Sequence, residues 1–164
     1  MFSFGTKDVR LRKAGLRDAE LLHSMMVRCF QPFLERYEDY DTSPAAEPLE
    51  KTVRRLEDPA TDYYLVLEGE EPIGGVRTVA IEQGRRVSPI FILPERQGYG
   101  VGSRVIELLE ERYPEAQRWT LDTIRQETGL VRFYEGLGYR RTGEETVINE
   151  KMTLIDLEKT EEKG

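Results

Sequence analysis

The chain has 164 residues, 38% hydrophobic and 34% charged, with a net charge of −7, which suits a single domain spanning 1–164 with a sizeable core and a charged surface. The acidic balance argues against general affinity for nucleic acid or anionic membranes. One cysteine, Cys29, and one histidine, His23, exclude an internal disulfide and any Cys- or His-rich metal site, so no metal is expected; charges from Lys7 onward and the lack of an apolar run near ~20 residues exclude a signal-peptide core and a membrane span and predict a cytoplasmic protein.

Val9 to Ala14 alternates and predicts a first strand. Asp18 is placed to cap a helix carrying Leu21, Leu22, Met25, Met26 and Phe30, which Pro32 should interrupt. His23 and Cys29 fall within it and read as a boundary histidine and a packed thiol. An acidic, aromatic segment follows, with Tyr37, Glu38, Asp39, Tyr40 and Asp41 clustered and a loop bracketed by Pro44 and Pro48. Leu49, Val53 and Leu56 mark a second helix ending near Asp58. Tyr63 to Leu67, Ile73 to Ile81 and Val87 to Leu93 are β-rich runs joined by tight turns, hence an antiparallel meander, and Gly74-Gly75 suggests a bulge. Val101, Val105, Leu108 and Leu109 give a helix. The run Trp119 to Thr123 then gives a strand that a helix-length crossover makes parallel to its neighbour. Leu130, Phe133, Tyr134 and Leu137 stripe a short helix; Tyr139 to Gly143 and Met152 to Leu157 close the chain as a hairpin, leaving 158–164 as a frayed tail. The pattern predicts an α/β architecture: a mixed seven-stranded sheet flanked by about four helices.

The stretch from Ile90 to Leu109 organises the rest. A strand ends at Leu93-Pro94, a glycine-rich turn follows, and a helix begins. Glycines let the backbone approach a ligand, and the first helical turn offers unpaired N–H groups at the positive end of a dipole, so this is a backbone site for an anion, most often phosphate. No Lys precedes Ser103 as a P-loop requires, and the sixth position counted from Gly98 is Ser103 where a dinucleotide fingerprint has glycine.

Gln97-x-x-Gly100-x-Gly102, led in by Leu93-Pro94-Glu95-Arg96, resembles the pyrophosphate loop of the GNAT N-acetyltransferase superfamily, and the second motif, Phe133-Tyr134-Glu135-Gly136-Leu137-Gly138-Tyr139, is similar to that family's later signature. The resemblance covers nearly the whole chain and implies an acyl-coenzyme A N-acyltransferase fold. It also implies acetyl-CoA as co-substrate, a small-molecule or peptide amine as acceptor, and direct transfer. A non-catalytic acyl-CoA sensor on the same fold is the alternative, and a homodimer follows from family habit. It implies a cofactor cradle made of the amides from Gln97 through Gly98, Tyr99, Gly100, Val101 and Gly102 to Ser103, with help from Arg96, Arg104 or Arg132. It further implies main-chain contacts from Phe91, Ile92 and Leu93 along a strand splayed from Trp119–Thr123, and a contact from Phe133.

In that family the tyrosine matching Tyr134 lies near the coenzyme sulfur and acts as general acid. A phenol near pKa 10 can hydrogen-bond a thiolate of a thiol near 8.5 while staying neutral. The general base is open: Glu82 and Asp122 are candidates acting through water. Glu127 stands where many relatives carry Asn, which puts one coenzyme contact in doubt. Tyr37, Glu38 and Asp39 are expected at the acceptor site, where carboxylates and aromatic faces suit a cationic amine. Cys29 lacks a partner histidine motif, which disfavours an acetyl-cysteine relay.

Overall fold

The computed structural model describes residues 8–161. Its elements follow the order read from the periodicity: β1 (Val9–Lys13), α1 (Ala19–Tyr37), α2 (Leu49–Glu57), β2 (Thr61–Glu68), β3 (Glu71–Ile81), β4 (Gly84–Ile92), α3 (Val101–Arg112), β5 (Arg118–Ile124), α4 (Thr128–Gly136), β6 (Arg140–Val147) and β7 (Thr153–Thr160). They build one seven-stranded sheet in the order β1-β2-β3-β4-β5-β7-β6, with β4 and β5 parallel and every other pair antiparallel.

Strand β2 is apolar at consecutive positions because both its faces are covered. Tyr63, Leu65 and Leu67 pack with Leu22, Met25 and Met26 of α1 and with Phe91. Tyr64 and Val66 point the other way, into a core with Val101, Val105, Ile106 and Leu109 of α3 and with Trp119, Leu121, Tyr134 and Tyr139. Helices α1 and α2 therefore lie on one face of the sheet and α3 and α4 on the other.

Three expectations are corrected. Pro32 does not interrupt the first helix, which runs through it to Tyr37. A proline forfeits one helix hydrogen bond, but Leu34 and Tyr37, both buried beyond it, hold the last turns against the protein. Asp18 occupies the N-cap position, yet its carboxylate accepts from the Gly15 N–H at 2.9 Å and makes no cap to α1. The tail is not frayed from 158: β7 continues to Thr160, with Trp119 opposite Lys159 and Arg118 opposite Thr160, and the Glu161 N–H donates to Gln117 at 2.9 Å. Residues 162–164 lie outside the described residues.

Two irregularities shape the middle of the sheet. The β2–β3 register shifts opposite Ile73, beside the glycine pair that suggested a bulge. The β3–β4 register shifts again, so that β4 bulges at Ser88-Pro89. The parallel pairing of β4 with β5 is confined to Gly84, Arg85 and Arg86 against Arg118, Trp119 and Thr120. Beyond these residues the two strands part, as the family resemblance implied for Ser88–Leu93 and Trp119–Thr123.

Candidate active site

The gap between the parted strands opens into a cleft of about 800 Å³. Its walls come from β4 (Val87–Ile92), β5 (Leu121–Ile124), the loop into α3, α4, and the far side of α1 and α2.

The anion-binding end is built by backbone. Gly98 and Gly100 take φ of +84° and +82°, a left-handed conformation that β-branched residues adopt only under strain. Arg104 N–H closes the first turn of α3 onto Gly100 C=O at 3.1 Å, so the amides of Val101, Gly102 and Ser103 ahead of it have no intrahelical acceptor. No acidic side chain sits in that first turn, which keeps the positive dipole end uncompensated. The Gln97 side chain reaches back to the Ile92 carbonyl at 2.8 Å and pins the loop to β4. The main-chain N–H of Gln97, expected among the anion donors, goes instead to Pro94 C=O at 3.2 Å, because Pro94–Arg96 forms a turn of 3-10 helix. A Cβ at Gly102 would lie 3.1 Å from the ring of Phe133, so Gly102 also seats α3 against α4.

Of the arginines expected to help, Arg96 is held by Glu68 and lies over the Tyr99 ring at 4.9 Å. Arg104 is paired with Glu107 at 3.1 Å and Glu111 at 3.7 Å. Arg132 is exposed and outside the cleft wall. Tyr99 is half-exposed and, like Leu93, lies outside the wall; the Leu93 N–H donates to Ile73 C=O at 2.9 Å and so faces β3. Backbone groups alternate in direction along a strand, and it is the Ile92 carbonyl that turns toward the cleft side, where Gln97 and the Cys29 thiol both donate to it.

Tyr134 is buried on the last turns of α4, edge-on to Phe133 and Tyr139 with centroids 5.0 and 6.0 Å away. Its hydroxyl makes no hydrogen bond to the described residues, and the side chain lines the cleft. Burial, and then the charge of Asp122, push the phenol up to about 12. Asp122 lines the same cleft from β5 and takes a hydrogen bond from Arg86 at 2.9 Å. Its carboxyl is raised above the ordinary value because desolvation, with Asp156 nearby, outweighs the attraction of Arg86. The other candidate base, Glu82, is exposed on the β3–β4 turn, at the end of β4 remote from the cleft, and is not part of its wall.

The residues expected at the acceptor end are largely spent on structure. Glu127, ahead of α4, accepts from the Arg36 guanidinium at 2.5 Å and from the Tyr37 hydroxyl. Glu38 pairs with Lys151, and the Asn149 amide donates to the Tyr37 carbonyl at 2.8 Å. Tyr37 and Glu38 thereby clamp the end of α1 to the β5–α4 and β6–β7 connections and lie outside the cleft wall. Asp39 does line the cleft, but its buried carboxylate is taken up by the N–H and hydroxyl of Thr42.

In place of these residues the cleft shows Phe30, Phe33, Met152 and Leu154 as an apolar wall, and Glu47, Lys51 and Arg55 as a polar one. Sequence reasoning missed the polar trio. Its four-residue spacing along α2, with Glu47 at the entry, was the available signal. Cys29 also stands in the wall, but its thiol donates to Ile92 C=O at 3.3 Å and burial raises its pKa to about 11, which leaves little thiolate for a covalent relay. Among the described residues no cluster of three or more His, Cys, Asp or Glu is placed to hold a metal, and no helix is long and apolar enough to cross a membrane.

Solved structures share this architecture. An acetyltransferase from Thermus thermophilus superposes with a TM-score of 0.74 at 19% identity, over 96% of this chain and 99% of that one. Spermidine N-acetyltransferase from Vibrio cholerae, in complex with CoA and spermine, gives 0.73 at 18% identity, over 93% and 95%. An acetyltransferase from Salmonella typhimurium that modifies the N-terminal serine of a 50S ribosomal subunit protein gives 0.74 at 14%, over 95% and 96%. No curated protein matches this sequence significantly. The model of the acetyltransferase (GNAT) domain matches residues 36–161, and with the parted strands, the glycine loop and the α4 tyrosine all falling inside that match, this chain belongs to the GNAT acetyltransferase family.

Proposed function

We propose that the protein is an N-acetyltransferase that moves the acetyl group of acetyl-CoA directly onto a primary amine of a small molecule or peptide. The observation that carries this reading is the cleft itself: a run of free amides at the start of α3, parted strands beside it, and Tyr134 and Asp122 both in the wall. The diphosphate of the co-substrate belongs at the amides of Gly98 and of Gly100 to Ser103, where each charge-assisted hydrogen bond contributes roughly 1.5–3 kcal/mol. The pantetheine arm lies along β4, and the thioester comes to rest by Tyr134. The fold likeness to the CoA- and spermine-bound Vibrio enzyme supports this placement.

An acceptor ammonium must lose a proton before it attacks. Asp122, a carboxylate raised toward base strength by desolvation, takes it directly or through water. The amine nitrogen forms the new C–N bond, the C–S bond breaks, and the nitrogen's surplus proton ends on sulfur. Tyr134 donates a hydrogen bond to the sulfur as charge develops there. With the phenol at about 12 and a thiol near 8.5, complete proton transfer from Tyr134 would cost about 5 kcal/mol. The phenol therefore stabilises the thiolate, and the final proton comes by way of solvent.

The test is release of free thiol from acetyl-CoA on addition of amines, read with a thiol reagent. Amine-dependent thiol release is the expected result. Tight binding of coenzyme A by calorimetry with no thiol release across amino acids, peptides, polyamines and aminoglycosides would replace the enzyme with a sensor.

A further inference from the structure

The polar end of the cleft has an unusual inventory. Lys51 and Arg55 lie one turn apart on α2, Glu47 stands just ahead of that helix, and all three line the wall. One oxygen of Glu47 serves both cations, with Arg55 at 3.0 Å and Lys51 at 3.5 Å. The Glu47 side chain is 8% exposed and that of Arg55 17%. The second Glu47 oxygen, Oε2, and Arg55 Nη1 are closed off from solvent without a hydrogen-bond partner among the described residues, as are the Tyr63 hydroxyl and the Thr52 hydroxyl behind them. Leaving such groups unpaired is costly. The Glu47 carbonyl is tied to His23 Nε2 at 2.7 Å, which holds the trio against α1.

Charge is also out of balance here. Arg77, whose guanidinium donates to the Ser88 carbonyl at 2.6 Å in the β4 bulge, makes no ion pair among the described residues. Its pKa is lowered, first by burial and then by the neighbouring charge of Arg55. Lys51 and Arg55 thus share one carboxylate, Glu47, within ion-pair reach among the described residues, and Arg77 feels Glu47 and Asp58 only at longer range. Asp39, the other acid in this part of the wall, is already satisfied by Thr42.

We infer that the acceptor carries a carboxylate as well as its amine, and that Arg55 and Lys51 read that carboxylate while Glu47 accepts from an N–H beside it. The acceptor class is accordingly an amino acid or short peptide rather than a polyamine. The apolar wall of Phe30, Phe33 and Met152 lies alongside and receives the side chain. This rests on the N-acetyltransferase reading and narrows its acceptor.

The experiment compares matched acceptors: alanine and alaninamide, alanylalanine and its amide, and spermidine, each with acetyl-CoA and thiol detection. The carboxylates should exceed their amides in kcat/KM by roughly ten- to a hundred-fold, the value of one charge-assisted contact. The two carboxylates distinguish a free amino acid from a peptide. Arg55→Gln should bring the carboxylate-to-amide ratio close to one. Lys51→Glu, at a half-exposed position where folding is not at stake, should invert the preference toward the amide and spermidine. Coenzyme A affinity, read by calorimetry, should be unchanged in both variants. Equal use of carboxylate and amide, or preference for spermidine by the unmodified protein, overturns the inference while leaving the enzyme reading intact. Should no acceptor turn over, titration of the same compounds into the CoA-loaded protein decides: binding of carboxylates alone upholds the inference, and binding of none or of the amides equally overturns it.

Discussion

In the proposed mechanism Tyr134 and Asp122 divide the work. The Tyr134 phenol is neutral throughout the working range because burial and the Asp122 charge lift it to about 12, so its ionisation contributes no alkaline limb to activity below about pH 10. Tyr134→Phe should lower kcat by roughly 10²-fold, in the range lost with one hydrogen-bond donor to a developing charge, and leave the calorimetric affinity for coenzyme A unchanged; unchanged turnover would take Tyr134 out of the mechanism. As the proposed base, Asp122 acts when ionised. Its carboxyl is raised above 3.8 in the folded protein, so activity should rise with pH on an acid limb displaced upward from the ordinary carboxylate range, and Asp122→Asn should abolish that limb and slow turnover. Both residues were legible as candidates, Tyr134 from a motif and Asp122 from its strand. That only Asp122 of the two candidate bases faces the cleft was not, because Glu82 and Asp122 differ in where the sheet opens, a long-range property.

The loop between β4 and α3 could be read from local chemistry alone: glycines, a proline stop and a helix start within about a dozen residues. Gly100→Val forces a β-branched residue to φ near +82° and should abolish measurable coenzyme A binding with a small change in melting temperature. Gly102→Val also drives a side chain into Phe133 and should destabilise the protein more than Gly100→Val. The end of α1 could not be read this way. The acids and aromatics at 37–39 pointed to an acceptor site, but their partners, Glu127, Asn149 and Lys151, lie 90 or more residues away. Tyr37→Phe should cost about 1 kcal/mol in denaturant unfolding, with more effect on the closure of this clamp than on the anion site.

At the scale of the molecule, strand count, helix count and the mixed sheet were all legible, since they rest on periodicity and on loop length. The bulge beside Gly74-Gly75 was announced by that glycine pair; the one at Ser88-Pro89 and the length of the parallel pairing were not legible, because they depend on register. A stability prediction follows from the buried phenols. Tyr63, Tyr113, Tyr134 and Tyr139 all have raised pKa values, chiefly by burial. The folded state holds these protons more tightly than the unfolded chain, so their contribution is fully present below about pH 10 and is lost as pH rises toward the folded values. Tyrosinate absorbance from these residues should therefore grow together with loss of far-UV dichroism above pH 10, and not before it. One last consequence lies in the three residue pairs by which β4 meets β5. So short a seam makes the sheet two plates, a four-stranded one and a three-stranded one, zipped only at one end. A molecule that occupies the open end supplies the missing rungs, and its arrival should slow hydrogen exchange in both plates at once rather than in the glycine turn alone.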